Sequence, residues 1–270
     1  MSETAEDWKK LTIANHFIFS KVMRDTEICK EVLYRLLPHM DIGDIKIVEY
    51  EKVMDESLKA KAVRLDIYLN HGTTVYDVEM QSADNDNLAK RSRFYQAHID
   101  MDCLAKGKSY QELKDSFVIF ICKFDLFDKG LPVYTFTNLC HESPKIQLKD
   151  GATKIFFNTT SHEQVKDEKM AEFLRFVNRQ WDDDFSTEDE FIKNLMNKVE
   201  NVKQNKDWER EYMTMSATLD NAVYQGKLER DIEIAKKMLK KNKPIEEIIE
   251  FTELPQSKIE ELKEELSVNA

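Results

Sequence analysis

The chain has 270 residues, of which 41% are hydrophobic and 34% charged, and a formal net charge of −11. These fractions exclude a disordered chain. The acidic balance argues against a protein that merely coats nucleic acid with positive charge, though not against an enzyme with a local basic cleft.

Only six glycines and five prolines are present, which favours helices and short connections over a glycine-rich sandwich. The first ten residues, MSETAEDWKK, are acidic and lack an apolar core, so they do not read as a secretory signal. Residues 12–37 carry Ile13, Phe17, Val22, Val32, Leu33, Leu36 and Leu37 at roughly helical spacing. Asp25-Thr26 interrupts this stretch and caps a second helix that ends before Pro38.

The period then changes. Ile45, Ile47 and Val48 begin a strand, and Val63, Leu65, Ile67 and Leu69 alternate with Arg64, Asp66, Tyr68 and Asn70. His71-Gly72 is a turn, and Val75, Tyr76, Val78 and Met80 return on a second strand, so the pattern predicts a hairpin. Asn87 to Lys106 reads as a long helix stopped by Gly107. Phe117 to Phe124 (FVIFICKF) is nearly all apolar, as expected of a central strand buried on both faces. Val133–Leu139 and Lys154–Phe157 are further short strands.

From about residue 165 the pattern is helical. Phe173, Phe176, Val177 and Trp181 mark one helix, and Phe191, Leu195 and Val199 another. Tyr224, Leu228, Ile232, Ala235 and Leu239 form a stripe that Lys243-Pro244 ends, with short helices around Ile245–Ile249 and Ile259–Leu262 beyond it. The predicted architecture is α/β: a mixed β-sheet core flanked by helices over residues 1–165, then an all-helical region over 166–270. No run approaches a membrane span, since the best, Phe117–Cys122, is strand-sized. Cys29, Cys103, Cys122 and Cys140 form no CxxC and no zinc-finger spacing, and read as buried free thiols of a cytoplasmic protein.

Asp66, Glu79 and Gln81 break into the hairpin strands. Asp66 and Glu79 are expected on one face near one end of it, a few positions from directly opposite. Two such carboxylates repel unless a cation sits between them, and oxygen ligands suit Mg²⁺ or Mn²⁺. Gln81 shares the face of Glu79. On pattern alone, a half-exposed hairpin with a polar solvent face is the simpler reading. The following helix carries Lys90, Arg91 and Arg93, then Tyr95 and Gln96. A solvated basic turn explains them, and so does a docking place for a phosphate backbone in an otherwise acidic chain. There Arg93 and Gln96 share a face, and Tyr95 can stack on a base or pack in the core.

The stretches ANHFIFSKVM, VRLDIYLN, YDVEMQ, AKRSRFYQAHIDMDCLAKGKSY and FVIFICKFDLF, in this order over about residues 14–140, resemble the PD-(D/E)XK nuclease superfamily, and within it the transposase-like, recombination-promoting branch. The C-terminal IAKKMLKKNKPIEEIIEFTELPQSKIEEL resembles the helical tail of such proteins. The resemblance implies a restriction-endonuclease-like fold and metal-dependent hydrolysis of DNA phosphodiesters. It implies Asp66, Glu79 and Gln81 as catalytic residues, and Asp66, Glu79 and the Met80 backbone carbonyl as Mg²⁺ ligands, with Mn²⁺ as the other metal. Gln81 takes the place of the superfamily's lysine. His16, in Asn15-His16-Phe17, stands where related sequences carry an acid, and is a further candidate ligand. Lys90, Arg91, Arg93, Tyr95 and Gln96 are the expected DNA contacts.

The paired C-terminal helices do not read as a DNA reader, because Glu246, Glu247, Glu250, Glu253, Glu260, Glu261, Glu264 and Glu265 outnumber Lys258 and Lys263. The stripe from Tyr224 to Leu239 is expected to pack on the nuclease core or on another subunit, giving a homo-oligomer. Two other functions fit the same residues. His16 and the net charge of −11 favour a nuclease-fold binding or regulatory module of weak or no activity, and an RNA substrate would need a substrate comparison to detect.

Overall fold

The computed structural model describes residues 3–40, 42, 46–54, 63–83, 87–180, 182 and 185–268. The chain divides into two compact units, one through Trp208 and one from Glu209.

The first unit is built on a six-stranded sheet in the order β1-β2-β3-β4-β6-β5. Its strands are β1 (Lys46–Met54), β2 (Val63–His71), β3 (Thr74–Gln81), β4 (Asp115–Cys122), β5 (Val133–Phe136) and β6 (Ala152–Asn158). β1, β2 and β3 pair antiparallel, β3, β4 and β6 run parallel, and β5 closes one edge antiparallel to β6. The hairpin turns at Gly72, whose φ of +55° suits a residue without a Cβ. β4 holds the buried central place expected of its apolar run. Val118, Phe120 and Cys122 are buried on one face, Ile119 and Ile121 on the other.

Helices cover both faces, and they are α1 (Glu3–Lys10), α2 (His16–Val22), α3 (Thr26–Leu36), α4 (Leu88–Cys103), α5 (Glu168–Arg179) and α6 (Glu190–Gln204). α4 packs on the face that carries Tyr68, Val75, Val118, Phe120 and Phe156, where it inserts Leu88, Tyr95 and Ile99. α2 packs against β2 and β3, α3 against α5, and α6 against α2. Asp25 caps α3 by accepting the Glu27 and Ile28 N–H groups, which explains the break in the 12–37 pattern. α4 ends at Cys103, three residues before the expected Lys106.

The sequence pattern gives no sign of α1. Among its described side chains the anchor is Trp8, which is buried, packs edge-on against Phe17 and donates its indole N–H to the Lys203 carbonyl at 2.9 Å. One tryptophan carries no periodicity. The boundary expected at 165/166 is not where the compact units divide. α5 and α6 bury Phe173, Leu174, Phe176, Val177, Ile192, Leu195 and Val199 within the first unit. Arg35 on α3 ties α6 down through Asp189, at 2.7 and 3.0 Å. Ile45 and Trp181, expected in a strand and a helix, lie outside the described residues.

The second unit contains most of α7 (Lys206–Lys240), with α8 (Ile245–Thr252) and α9 (Gln256–Val268). Leu228, Ile232, Ala235 and Leu239 pack there with Ile248, Leu254, Ile259 and Leu262. The stripe expected to meet the nuclease core or another subunit is thus covered, from Leu228 onward, by the chain's own last two helices. Tyr224, with Leu219 and Val223, stays exposed. All four cysteines are free thiols; Cys29 and Cys122 are buried, whereas Cys103 and Cys140 are half-buried rather than buried as expected. Burial pushes the Cys29 thiol up to about 12. Among the described residues no helix is long and apolar enough to cross a membrane.

Candidate active site

The β2–β3 ladder pairs Ile67 with Val78. The paired register ends there, and Asp66 and Glu79 are the next residue on each strand, closer in register than the pattern implied. Here side chains replace the backbone ladder. Glu79 Oε1 accepts the Asp66 N–H at 2.8 Å, and Asp66 Oδ2 accepts the Met80 N–H at 3.2 Å. The carboxylates therefore satisfy backbone donors where the two strands part, which orients both groups. Their solvent exposures are 6% for Asp66 and 1% for Glu79, so this is not the polar solvent face of a half-exposed hairpin.

Asp66, Glu79, Met80 and Gln81 line one cavity of about 290 Å³ together with His16, Ser82, Ala83 and Arg91. It opens at the carboxyl end of β3, beside the parallel neighbour β4, the place where open α/β sheets gather ligands. His16, the first residue of α2, reaches it because α2 packs on β2 and β3.

The basic helix is divided by its own geometry. Arg91 turns into the cavity, where its guanidinium donates to Glu79 Oε2 at 2.9 Å, to Gln81 Oε1 at 3.1 Å and to the Tyr95 hydroxyl at 2.7 Å. It is a partner of the carboxylate site rather than an outward DNA contact. Lys90 and Arg93 are exposed. Tyr95 is buried against Phe120, and Gln96 is buried with its amide donating to the Ser116 hydroxyl and, at 3.1 Å, to Asp100. Both therefore depart from the expectation of a docking surface. Residues at i and i+3 share a stripe, yet Arg93 and Gln96 fall on opposite sides of the line where the helix meets the sheet.

Pattern reading also missed Asp77. It lies two residues before Glu79, so the pleat sends it to the same face, and it is fully buried. No N–H or O–H donor among the described residues reaches either of its oxygens, and the Glu79 carboxyl stands within hydrogen-bonding range. Burial, with Glu79 and Asp66 adding negative charge, raises Asp77 well above the ordinary carboxylate range. The fold therefore favours the protonated form of Asp77 beside Glu79. Burial also raises Glu79, against the opposing pull of Arg91. The one signal for Asp77 in the sequence is its i−2 spacing from Glu79.

The donors present fit a hard divalent cation. Two carboxylates on adjacent strands, with the Gln81 amide oxygen in the same cavity, are oxygen donors of the kind that Mg²⁺ or Mn²⁺ takes when waters complete the shell. Among the described residues no group of three or more His, Cys, Asp or Glu side chains forms a cage.

A family model described as PD-(D/E)XK nuclease family transposase matches residues 14–225. No curated protein and no solved structure matches the chain.

Proposed function

Because the chain belongs to the PD-(D/E)XK nuclease family transposases, we propose that it is a metal-dependent DNA endonuclease of the recombination-promoting type, acting in the cytoplasm. The observation that carries this reading is the cross-strand pair Asp66 and Glu79, buried in one cavity with Gln81 and Arg91. In this reading Asp66, Glu79 and the Met80 carbonyl would hold the cation, and His16 lines the same cavity from α2. A divalent cation bound there supplies a bound water of lowered pKa and stabilises charge on the phosphate.

The chain's own residues do the rest. Gln81 carries no charge, so it orients a water or a phosphate oxygen by hydrogen bonding. Arg91 opposes the upward pull of burial on Glu79 and holds Glu79 and Gln81 at a fixed separation. Exposed Lys90 and Arg93 meet the phosphate backbone outside the cavity. The exposed Leu219, Val223 and Tyr224 on α7 are where self-association would occur.

Nicking of supercoiled plasmid in Mg²⁺, in Mn²⁺ and in EDTA, beside Asp66→Asn, tests the reading. Metal-dependent nicking that falls at least about 10²-fold in Asp66→Asn supports it. A folded wild type that is inactive in both metals overturns it. One observation favours a second reading, a nuclease-fold binding module: the Arg91 guanidinium already satisfies a Glu79 oxygen that a metal would use. Binding of duplex DNA without nicking in either metal would select it.

A further inference from the structure

A second cavity adjoins the carboxylate one, and its chemistry is the reverse. It has a volume of about 340 Å³ and is lined by Lys10, Thr12, Asn15, Ser82 and Lys123, with Leu11 and Ala14. The two cavities share Ser82, and Asn15 and His16, consecutive in the chain, line one each. The Lys123 N–H donates to the Gln81 carbonyl at 3.0 Å, which seats Lys123 directly beside the end of β3. Lys10 comes from the last turn of α1.

Donors are prominent among the polar groups of this cavity. The Asn15 side-chain oxygen is taken by the Phe17 and Ile18 N–H groups, so its NH₂ is what remains. Thr12 Oγ1 accepts the Ala14 N–H at 3.1 Å, and its O–H remains. The Ser82 hydroxyl and both lysines add further donors. Among the described residues no carboxylate lines the cavity. The chain has 51 Asp and Glu against 40 Lys and Arg. Two lysines share a cavity that is free of carboxylates and rich in hydrogen-bond donors, a lining that suits an anion.

The geometry points to a phosphate subsite: Lys10 and Lys123, with Thr12, Asn15 and Ser82, hold the backbone phosphate next to the one positioned over Asp66 and Glu79. This deepens the nuclease reading and rests on it for the choice of ligand. The acidic cavity takes the cation and the basic one takes the neighbouring phosphodiester, so a strand crosses Ser82 from one to the other. The positive charge that Gln81 lacks is thereby supplied one nucleotide away.

The test is fluorescence anisotropy of a labelled 20-base-pair duplex with the full chain in EDTA, titrated across NaCl concentrations. Wild type is compared with the Lys10→Gln/Lys123→Gln double variant and with Lys108→Gln, which removes charge at the far end of α4. All three must melt alike. The slope of log affinity against log salt is expected to fall by about 0.9 in the double variant, the amount for one lost phosphate contact, with affinity falling about tenfold near physiological salt. An unchanged slope, or one equal to that of Lys108→Gln, overturns the subsite. Inorganic phosphate at constant ionic strength is the second probe. If it binds in a manner dependent on these lysines while the DNA slope is unchanged, the cavity is a free-anion site and the backbone assignment falls. Plasmid nicking with an unchanged slope defeats the subsite alone; a lysine-dependent slope without nicking in any metal defeats the nuclease reading and leaves the subsite standing.

Discussion

The two compact units place their polar groups by opposite rules. In the second, Ala235, Ile248, Leu254, Ile259 and Leu262 form the buried cluster, and charges sit in surface pairs such as Lys243–Glu247 and Lys258–Glu261, at 2.8 and 2.9 Å. In the first, the same sheet that buries Val118 and Phe120 also buries Asp66, Asp77 and Glu79. Burying carboxyl groups side by side is unfavourable unless protons, cations or donors compensate. The first unit therefore tolerates a local cost at the end of β3 that no buried carboxyl of the second, among the described residues, repeats; perturbed buried acids of this kind concentrate at functional sites.

Substitutions sharpen this contrast, beginning with the largest effect. Ile259→Ala removes a fully buried side chain from the small cluster of the second unit. It is expected to cost about 2–5 kcal/mol there, read as loss of hydrogen-exchange protection in α8 and α9 with β3 and β4 unchanged. Equal loss in the sheet would break the division into two units. Arg91→Ala should cost about 1–3 kcal/mol in urea denaturation at pH 8, because it leaves Glu79 buried without its counter-charge. Arg91 holds Glu79 down, so removing it raises Glu79 further. The loss should shrink toward pH 4, where Glu79 takes up a proton in either protein.

Asp77→Asn is a smaller change with a sign that depends on pH. Asp77 is raised in the folded chain, so the fold retains a proton that the unfolded chain releases above about pH 4. Wild type therefore loses stability as pH rises from there toward the folded value, at up to about 1.4 kcal/mol per pH unit. The asparagine variant has no such loss. Its Tm relative to wild type is expected to climb between pH 5 and pH 8; a relative Tm that falls over that range would mean Asp77 is ionised in the fold. Lys258→Ala, which breaks an exposed pair, should change stability by less than about 0.5 kcal/mol. A larger loss would show that surface charge, not the apolar cluster, holds the second unit together.

By itself the sequence determined the hairpin, the double-sided burial of β4, the helical second half and the pairing of Asp66 with Glu79 and Gln81. Each is local, because strand alternation and helical spacing are set by backbone geometry over a few residues, and the motif order carried the resemblance. Tertiary structure decided the rest. It turned Arg91 into the cavity and Gln96 onto Ser116, made Asp77 a buried acid, anchored α1 through Trp8, and drew α5 and α6 into the first unit. The physical reason is common to all of these. Periodicity tells which residues of one element share a face, but the partner that face meets comes from a distant part of the chain, and the partner determines whether a charge is solvated, paired or buried.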